Sequence, residues 1–392
     1  MSMILDSALA RAANSSAVFA KFLSANDTGL TGGHQSGIYI PRHSASLIFI
    51  EQFERGENHK RSAYIIWNDE RETESSFTYY GQGTRNEYRI TRFGRGFDLL
   101  APEHTGDLLV ICRDTYDLYH AYVLSTENDI EAFLDAFSLA PIELNRLVFG
   151  ADERQDNNTR PSFEAAVEEV AIRFEGQFPN TATMASSAQE ASSLVVNPYT
   201  VSPDEAIITW IETEYKLFRR IEEVHYEWVT LEPADSLDDF VNTGLEITNR
   251  RKSRAGKSLE HHLEALFDLR GLKFKSQAIT EVNKKPDFIF PSEEAYHDPD
   301  FPEEQLVFLG AKTTCKDRWR QVLNEANRIP HKYLFTLQQG MSPNQLKEMR
   351  AENLTLVVPA AYHSTYPETY RDQIMTLEEF IEMVVEIQSK DN

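Results

Sequence analysis

The spacing of apolar residues changes midway along this 392-residue chain, and this change limits its fold more than any other feature. In the first 150 residues the apolar runs are short and separated by Gly, Asn, Asp and Pro; they lie at 38–40, 47–50, 63–67 and 108–112. Such runs are typical of strands in a small barrel or sandwich. From about residue 204 the spacing becomes helical, at Ile207, Ile211, Tyr215 and Phe218. The pattern predicts a multidomain chain, with a β-rich N-terminal domain followed by an α/β domain.

Helices and short strands alternate in the second half. One helix is predicted to begin near Ser258, a second to run from about 317 to 328, and a closing helix to span 377–387. Strands are predicted at 288–290, 307–309, 333–335 and 354–358. This alternation favours a mixed α/β core.

Two polar stretches interrupt these patterns. The turn-rich segment 150–161 is the best candidate for an interdomain linker, so we place the domains at 1–155 and 156–392. A second stretch, 180–203, is rich in Ser, Ala and Thr. We expect it to be a surface loop inside the second domain.

The charge of the chain is large and uneven. Lys and Arg number 39 against 62 Asp and Glu, a net charge of −23, which as a uniform field would repel nucleic acid. Residues 126–215 hold 17 acids and four basic residues, whereas 80–96 hold four arginines and one acid. Residues 250–257 hold five cations and no acid. The overall charge therefore disfavours a DNA partner, but its local distribution permits one.

Two further features bear on the compartment. No apolar run approaches the ~18 residues that span a bilayer, and the N-terminus lacks the regions of a signal peptide. Two cysteines, Cys112 and Cys315, cannot build a disulfide framework or a Cys-rich zinc site. We therefore expect a cytoplasmic protein with no membrane partner.

Two carboxylates and a lysine form the most informative pattern in the second half. Asp287 opens one predicted strand and Lys312 ends the next, so pairing of these strands would place both at one sheet edge. Glu260, on the preceding helix, would lean over the same point. Metal-dependent phosphodiester hydrolysis uses such groups, because carboxylates hold Mg²⁺ and a lysine orients or activates water. On spacing alone, surface carboxylates and an ordinary lysine remain the simpler interpretation.

The segment after Lys312 strengthens the nucleic-acid interpretation. Lys316, Asp317 and Arg318 begin the helix predicted at 317–328. In a major groove Arg bonds both acceptors of guanine and Asp accepts from the cytosine amino group, so this segment fits a C·G pair. The alternative is a helix-capping charge beside solvated arginines. Glu325, further along, fits either a third metal-binding carboxylate or a solvent-facing helix residue.

Long strings of residues resemble the EcoRII-like type IIE restriction endonucleases. They lie at 249–260, 284–288, 312–320 and 324–326 in the second half, and at 23–29, 32–35, 84–87 and 89–92 in the first. Such strings in both halves are far more specific than the three site residues alone, although about 100–205 matches poorly. The second half resembles the nuclease domain of these enzymes. The first half resembles their effector domain, a DNA-binding pseudobarrel related to plant transcription-factor domains.

The resemblance implies that the second half is a Mg²⁺-dependent PD-(D/E)XK nuclease core. Its metal-binding carboxylates fall on Glu260, Asp287 and Glu325, and its catalytic lysine falls on Lys312. Gly310 stands where the usual acid precedes the lysine by two residues. EcoRII-like enzymes share this departure, and in them helices supply the missing acid.

The resemblance also implies two surfaces that contact DNA. In the nuclease domain, Lys316, Asp317 and Arg318 read the outer CC/GG pairs of CCWGG. In the effector domain the contacts map onto His34, Tyr39, Arg85, Asn86, Glu87 and Arg89. Gly83 and Tyr88 stand where the resemblance leads us to expect lysines, which removes two cations from this face. The effector domain binds a second copy of the site and thereby relieves autoinhibition.

These implications combine into one main hypothesis, a homodimeric type II site-specific deoxyribonuclease that restricts foreign DNA and needs two or more copies of its target. Two-fold symmetry suits a pseudopalindromic site. The alternative is a sequence-specific DNA-binding protein with an inactive nuclease domain, against which the intact set of site residues argues. An acidic scaffold is favoured by the net charge alone. The acidic segment 127–175 is predicted to form part of an interdomain surface that occludes a positive cleft.

Overall fold

The N-terminal part of the protein is built on one eight-stranded sheet. The structure, a computed structural model, describes residues 2–31, 37–115, 117–149, 160–231, 234–281 and 284–390. The strands are β1 (Ala17–Phe22), β2 (Ile38–Ile40), β3 (His59–Trp67), β4 (Arg71–Tyr80), β5 (Glu87–Thr91), β6 (Leu108–Arg113), β7 (Tyr119–Leu124) and β8 (Arg146–Phe149). Their order is β2-β5-β4-β3-β7-β6-β1-β8, and only β3 and β7 are parallel neighbours among them. This arrangement confirms the β-rich N-terminal domain.

Both faces of the central strands of this sheet are covered. One face forms a core that includes Trp67, Phe77 and Tyr119. The other face packs against helices α1 (Met3–Ala13) and α2 (Glu127–Ala136). Every residue of β1 and β7 is therefore buried, including Lys21 and His120, so neither strand shows the alternation of a half-exposed sheet.

A helical region connects the two sheets. Its helices are α3 (Arg160–Ile172), α4 (Thr181–Ser193), α5 (Pro203–His225), α6 (Glu227–Leu231) and α7 (Leu237–Leu269). The predicted face of α5 is buried: Ile207, Ile211 and Tyr215 share one core with α7, whereas Phe218 packs with α3 and α4. None of the helices in the described ranges is long and apolar enough to cross a bilayer. Residues 150–159 of the predicted linker lie outside the described residues.

The C-terminal part contains a six-stranded mixed sheet. Its elements are β9 (Lys275–Ser276), β10 (Phe288–Phe290), α8 (Glu293–His297), β11 (Val307–Lys312), β12 (Lys332–Thr336), α9 (Pro343–Ala351), β13 (Leu354–Val357), β14 (Ile374–Met375) and α10 (Leu377–Ser389). The order is β14-β13-β12-β11-β10-β9, parallel from β11 to β14 and antiparallel from β9 to β11. In this register Phe288 lies opposite Leu309, so the start of β10 meets the end of β11.

Two segments of the sequence were assigned to the wrong kind of structure. The apolar run at 47–50 begins at the last residue of a 3₁₀ helix, Arg42–Leu47. Its residues 47–49 are buried in the core without forming a strand. The segment 180–203 is not a surface loop, because it contains α4. Its alanines favour a helix, the Asn180 side chain caps it by accepting from the Thr183 N–H at 2.8 Å, and Met184 is buried against α5.

Two helix boundaries also differ from the sequence predictions. Helix α7 begins at Leu237 rather than near Ser258. The prediction missed its first turns because they lack a buried apolar face, and apolar spacing was the signal for a helix. The α-helix predicted at 317–328 is a shorter 3₁₀ helix, Arg318–Asn324. It ends where Glu325 is extended and Ala326 has a left-handed φ of 46°.

Asp204 joins α5 to the start of α10. Its buried carboxylate accepts hydrogen bonds from the backbone N–H groups of Ala360, Leu377 and Glu378, each at 3.0 Å. We expect Asp204→Ala to lower the free energy of unfolding by about 3 kcal/mol, because three N–H groups lose their acceptor. Urea unfolding measures this change, with the exposed Asp300→Ala as control. An unchanged urea midpoint would contradict this role.

Candidate functional site

Asp287 and Lys312 meet at one edge of the second sheet. Asp287 directly precedes β10, and Lys312 is the last residue of β11. One carboxylate oxygen of Asp287 accepts the Ala311 backbone N–H at 2.8 Å and lies 3.8 Å from the Lys312 Nζ. The structure thus brings these two residues together, as the strand pairing predicted.

Glu260 reaches the same point from α7. The side-chain amide nitrogen of Gln277 donates to Glu260 Oε2 at 3.0 Å and to Asp287 Oδ1 at 3.3 Å. Gln277 was missed in the sequence, because an uncharged amide in a short loop after β9 carries no recognisable signal. It links a helix residue to a strand residue across the site.

Glu325 completes a group of three carboxylates around Lys312. Burial, and then the negative charge of Asp287, raise the pKa of Glu325 to about 7. The same two causes, in the same order, raise the pKa of Glu260 to about 7, while Lys312 acts in the opposite direction on both. Lys332 and Lys284 also lower the pKa of Glu325, yet it stays raised, so burial and negative charge outweigh the nearby lysines.

The chemistry of these donors suits a hard divalent cation. All are carboxylate oxygens, the ligands that Mg²⁺ prefers, and a cation among them would relieve the repulsion that raises both pKa values. Across the described ranges, however, the structure contains no compact group of three or more His, Cys, Asp or Glu side chains placed to hold a metal ion. Glu260 and Asp287, which share the Gln277 amide, are the best-placed pair.

Packing explains why the usual acid is missing two residues before Lys312. A Cβ atom added to Gly310 would lie 3.1 Å from Val322 Cγ1 and 3.3 Å from Leu334 Cδ1. A full carboxylate side chain at this position would displace both neighbours. The third carboxylate therefore has to come from another element.

The predicted base-reading segment is held by the N-terminal domain. The backbone N–H groups of Lys316, Asp317 and Arg318 all donate to Glu127 Oε2, at 3.1, 3.2 and 3.0 Å. The Arg318 guanidinium lies 2.9 Å from the other oxygen of Glu127 and also pairs with Glu131. Helix α2 thus covers this segment with two carboxylates.

Lys316 is held by a second contact across the same interface. Its buried ammonium group pairs with the carboxylate of Asp107 and donates to the Thr105 carbonyl at 3.0 Å. The other oxygen of Asp107 accepts from Ser125 Oγ at 2.5 Å and lies 2.7 Å from His104 Nδ1. The segment 316–318 therefore has both its backbone and its side chains engaged within the chain.

Sequence comparison matches both halves of the chain to one kind of protein. Residues 12–153 match the family described as restriction endonuclease EcoRII, N-terminal, and residues 218–381 match EcoRII C terminal. The type II restriction enzyme EcoRII of Escherichia coli is 38% identical over 393 residues, which cover 93% of each chain. The chain belongs to the EcoRII family of type II restriction enzymes. It is therefore a DNA endonuclease, and this membership favours the enzyme over the DNA-binding alternative.

Other relatives of the EcoRII-family chain are more distant. The type II restriction enzyme SsoII of Shigella sonnei is 26% identical over 180 residues, which cover 41% of this chain and 58% of that enzyme. A structure of metal-depleted Ecl18kI in complex with uncleaved, modified DNA is 22% identical, covers 59% of this chain and 85% of its own, and has a TM-score of 0.45. The UbaLAI B3 domain with cognate DNA is 20% identical, covers 31% and 78%, and has a TM-score of 0.21.

The predicted effector contacts of this EcoRII-family chain lie around β2 and β5. Tyr39 in β2 is the register partner of Arg89 in β5, and the Arg89 guanidinium lies 3.2 Å from the Glu87 carboxylate. Asn86 Oδ1 accepts from the Tyr79 hydroxyl at 2.9 Å, and Arg85 lies 5.5 Å from the centre of the Tyr80 ring. The structure thus gathers five predicted contacts, whereas His34 lies outside the described residues.

The structure explains why position 88 carries a tyrosine rather than the expected lysine. The Tyr88 side chain is 1% exposed and lies 4.7 Å from the Tyr79 ring, centre to centre. It belongs to the core of the sheet rather than to its surface. Position 88 therefore does not present its side chain where a DNA phosphate would contact it.

The crowded carboxylates predict a pH-dependent stability of the metal-free protein. Because the pKa of Glu260 is raised to about 7 in the folded state, its contribution to stability is present below about pH 4.5 and is lost as the pH rises through 7. We expect Glu260→Gln to raise the Tm in EDTA at pH 8, by an amount that shrinks toward pH 5. Glu382→Gln, an exposed acid on α10, is the control for removal of a charge. A Tm difference independent of pH would contradict this account.

Proposed function

We propose that this EcoRII-family enzyme is a Mg²⁺-dependent PD-(D/E)XK endonuclease that cuts double-stranded DNA at CCWGG-like sites. The observation that carries the proposal is the convergence of Glu260, Asp287 and Glu325 on Lys312 at the edge where β10 and β11 meet. Such a convergence of groups from four separate segments has no evident structural purpose, since their like charges repel one another. It is suited to a reaction that brings positive charge and a phosphodiester to the same point.

The roles of the residues follow from their surroundings. Glu260 and Asp287, with Glu325 nearby, would hold the cation, which when bound stabilises charge on the phosphate and lowers the pKa of a bound water. Asp287 is held in place by the Ala311 N–H, so its position is fixed before DNA arrives. The Lys312 ammonium is partly exposed beside it and would orient the attacking water and the phosphate.

The proposal extends to recognition of the target. Lys316, Asp317 and Arg318 would read the outer C·G pairs of the site, and the effector contacts near β2 and β5 would bind a second copy of it. A homodimer places one nuclease centre on each strand of a pseudopalindromic site, and we place it in the cytoplasm, where foreign DNA is restricted. The exposed apolar residues Leu237, Phe240 and Leu245, which follow helical spacing along α7, support self-association.

The interface described above supports autoinhibition. Three backbone N–H groups and a guanidinium that would bind DNA phosphate or base edges are bonded instead to Glu127 and Glu131. The Glu127 carboxylate therefore occupies a place that suits an anion such as a phosphate. Binding of site DNA to the effector domain would favour a separated arrangement, in which segment 316–318 is free to contact the duplex.

Substitution at the nuclease centre tests the proposed chemistry. We expect Asp287→Ala and Lys312→Ala each to lower the cleavage rate of a plasmid with several CCWGG sites by about 10³-fold in Mg²⁺, because each removes a group at the reacting phosphate. Sequencing of the ends locates the cuts, and Glu264→Ala is the matched control. Cuts at other sequences would overturn the recognition proposal, and full activity of Asp287→Ala would overturn the assigned centre.

Neutralising the covering carboxylates tests autoinhibition. We expect the double variant Glu127→Gln, Glu131→Gln to cleave DNA with a single site about 5- to 150-fold faster, the range of a coupling energy of about 1–3 kcal/mol. The reason is that Arg318 and three N–H groups lose their anionic partners in the closed arrangement. Glu103→Gln, an exposed acid of the same domain, is the control, and single-site cleavage at the wild-type rate would contradict the proposal.

A further inference from the structure

Gln277 has a constrained backbone at the edge of the nuclease site. It follows β9 directly and has a left-handed φ of 50°, which is uncommon for a residue with a side chain. Its N–H donates to the Asp287 carbonyl at 3.1 Å, so the two residues are held in register. Such backbone outliers concentrate at functional sites. The backbone therefore fixes the point from which the Gln277 side chain starts.

The Gln277 amide is placed between two carboxylates that belong to different elements. Its nitrogen has two hydrogens, and it donates to Glu260 on α7 at 3.0 Å and to Asp287 before β10 at 3.3 Å. Asp287 has a further donor in the Ala311 N–H. Over the described ranges of the chain, the bond from Gln277 is the one hydrogen bond that the Glu260 carboxylate accepts.

This difference leaves Glu260 with less support than Asp287. A Glu side chain has three rotatable bonds, and the like charge of Asp287 favours rotamers that point away from the site. The Gln277 amide opposes both effects, because a hydrogen bond to a charged acceptor is stronger than one between neutral groups. Without it, Glu260 loses the hydrogen bond that links its carboxylate, through one amide, to Asp287.

We propose that Gln277 is a positioning residue that holds Glu260 against Asp287, so that both carboxylates face one divalent cation. The inference rests on the metal centre proposed above and adds a residue to it. Hydrogen-bonding partners of metal-binding carboxylates orient them before the metal arrives, and loss of such a partner lowers metal affinity. In this role Gln277 acts through Glu260 rather than on the reacting phosphate.

Binding of Mn²⁺ alone to the full-length protein, measured from free Mn²⁺ by electron paramagnetic resonance, tests the inference without cleavage. We expect Gln277→Ala to raise the Kd by about 10- to 100-fold, and the Tm of each variant in EDTA shows whether it is still folded. Gln277→Asn keeps an amide and suits the left-handed backbone but is one methylene shorter, so it cannot span both carboxylates and should weaken binding as well. Gln388→Ala, which lies on α10, is the control.

The outcomes separate this inference from the function on which it rests. If Asp287→Ala binds Mn²⁺ as tightly as the wild type, the proposed metal centre is wrong. If Asp287→Ala loses binding but both Gln277 variants retain wild-type affinity, the centre stands and the positioning role is overturned. A second readout is cleavage against Mg²⁺ concentration: excess Mg²⁺ should restore the rate of Gln277→Ala but not that of Asp287→Ala, and no restoration would overturn the role.

Discussion

The contact between Glu127 and the backbone of 316–318 holds the two halves of this enzyme together at the segment that is expected to contact DNA. A buried carboxylate requires partners, and here a single oxygen accepts three N–H groups while the other lies beside Arg318. The segment requires partners equally, because consecutive N–H groups at the start of a 3₁₀ helix have none within it. Each side satisfies the other, so the N-terminal sheet and the nuclease sheet are joined where the nuclease domain is expected to meet DNA.

A different constraint shapes the nuclease centre. Burial, and then the negative charge of Asp287, raise the pKa values of both Glu260 and Glu325 to about 7. The repulsion among these carboxylates is opposed by Lys312, the Ala311 N–H and the Gln277 amide, all of which contact Asp287. A site that is electrostatically unfavourable when empty and is supported by fixed hydrogen bonds is well suited to binding positive charge.

The sequence predicted the frame of this site well. The strands at 288–290 and 307–309, their pairing, and the meeting of Asp287 with Lys312 all follow from short apolar runs of the kind that buried strands have. Two predictions from local composition were wrong. The segment 180–203 was predicted to be a loop but contains an alanine-rich helix, and the run at 47–50 was predicted to be a strand but fills the core without forming one. In both cases burial by distant residues, which sequence spacing does not record, decided the outcome.

By itself, the sequence determined the family, the β-rich and α/β halves, and the identity of the charged residues at the candidate site, since these depend on local periodicity and on matching strings. Only the tertiary structure decided what those residues touch. It showed that Glu127 and Asp107, about 200 positions away in the chain, bind segment 316–318, and that Gln277 supports Glu260. Hydrogen bonds and ion pairs act over a few ångströms in space whatever the separation in sequence, so partners of this kind become visible only when the chain is folded.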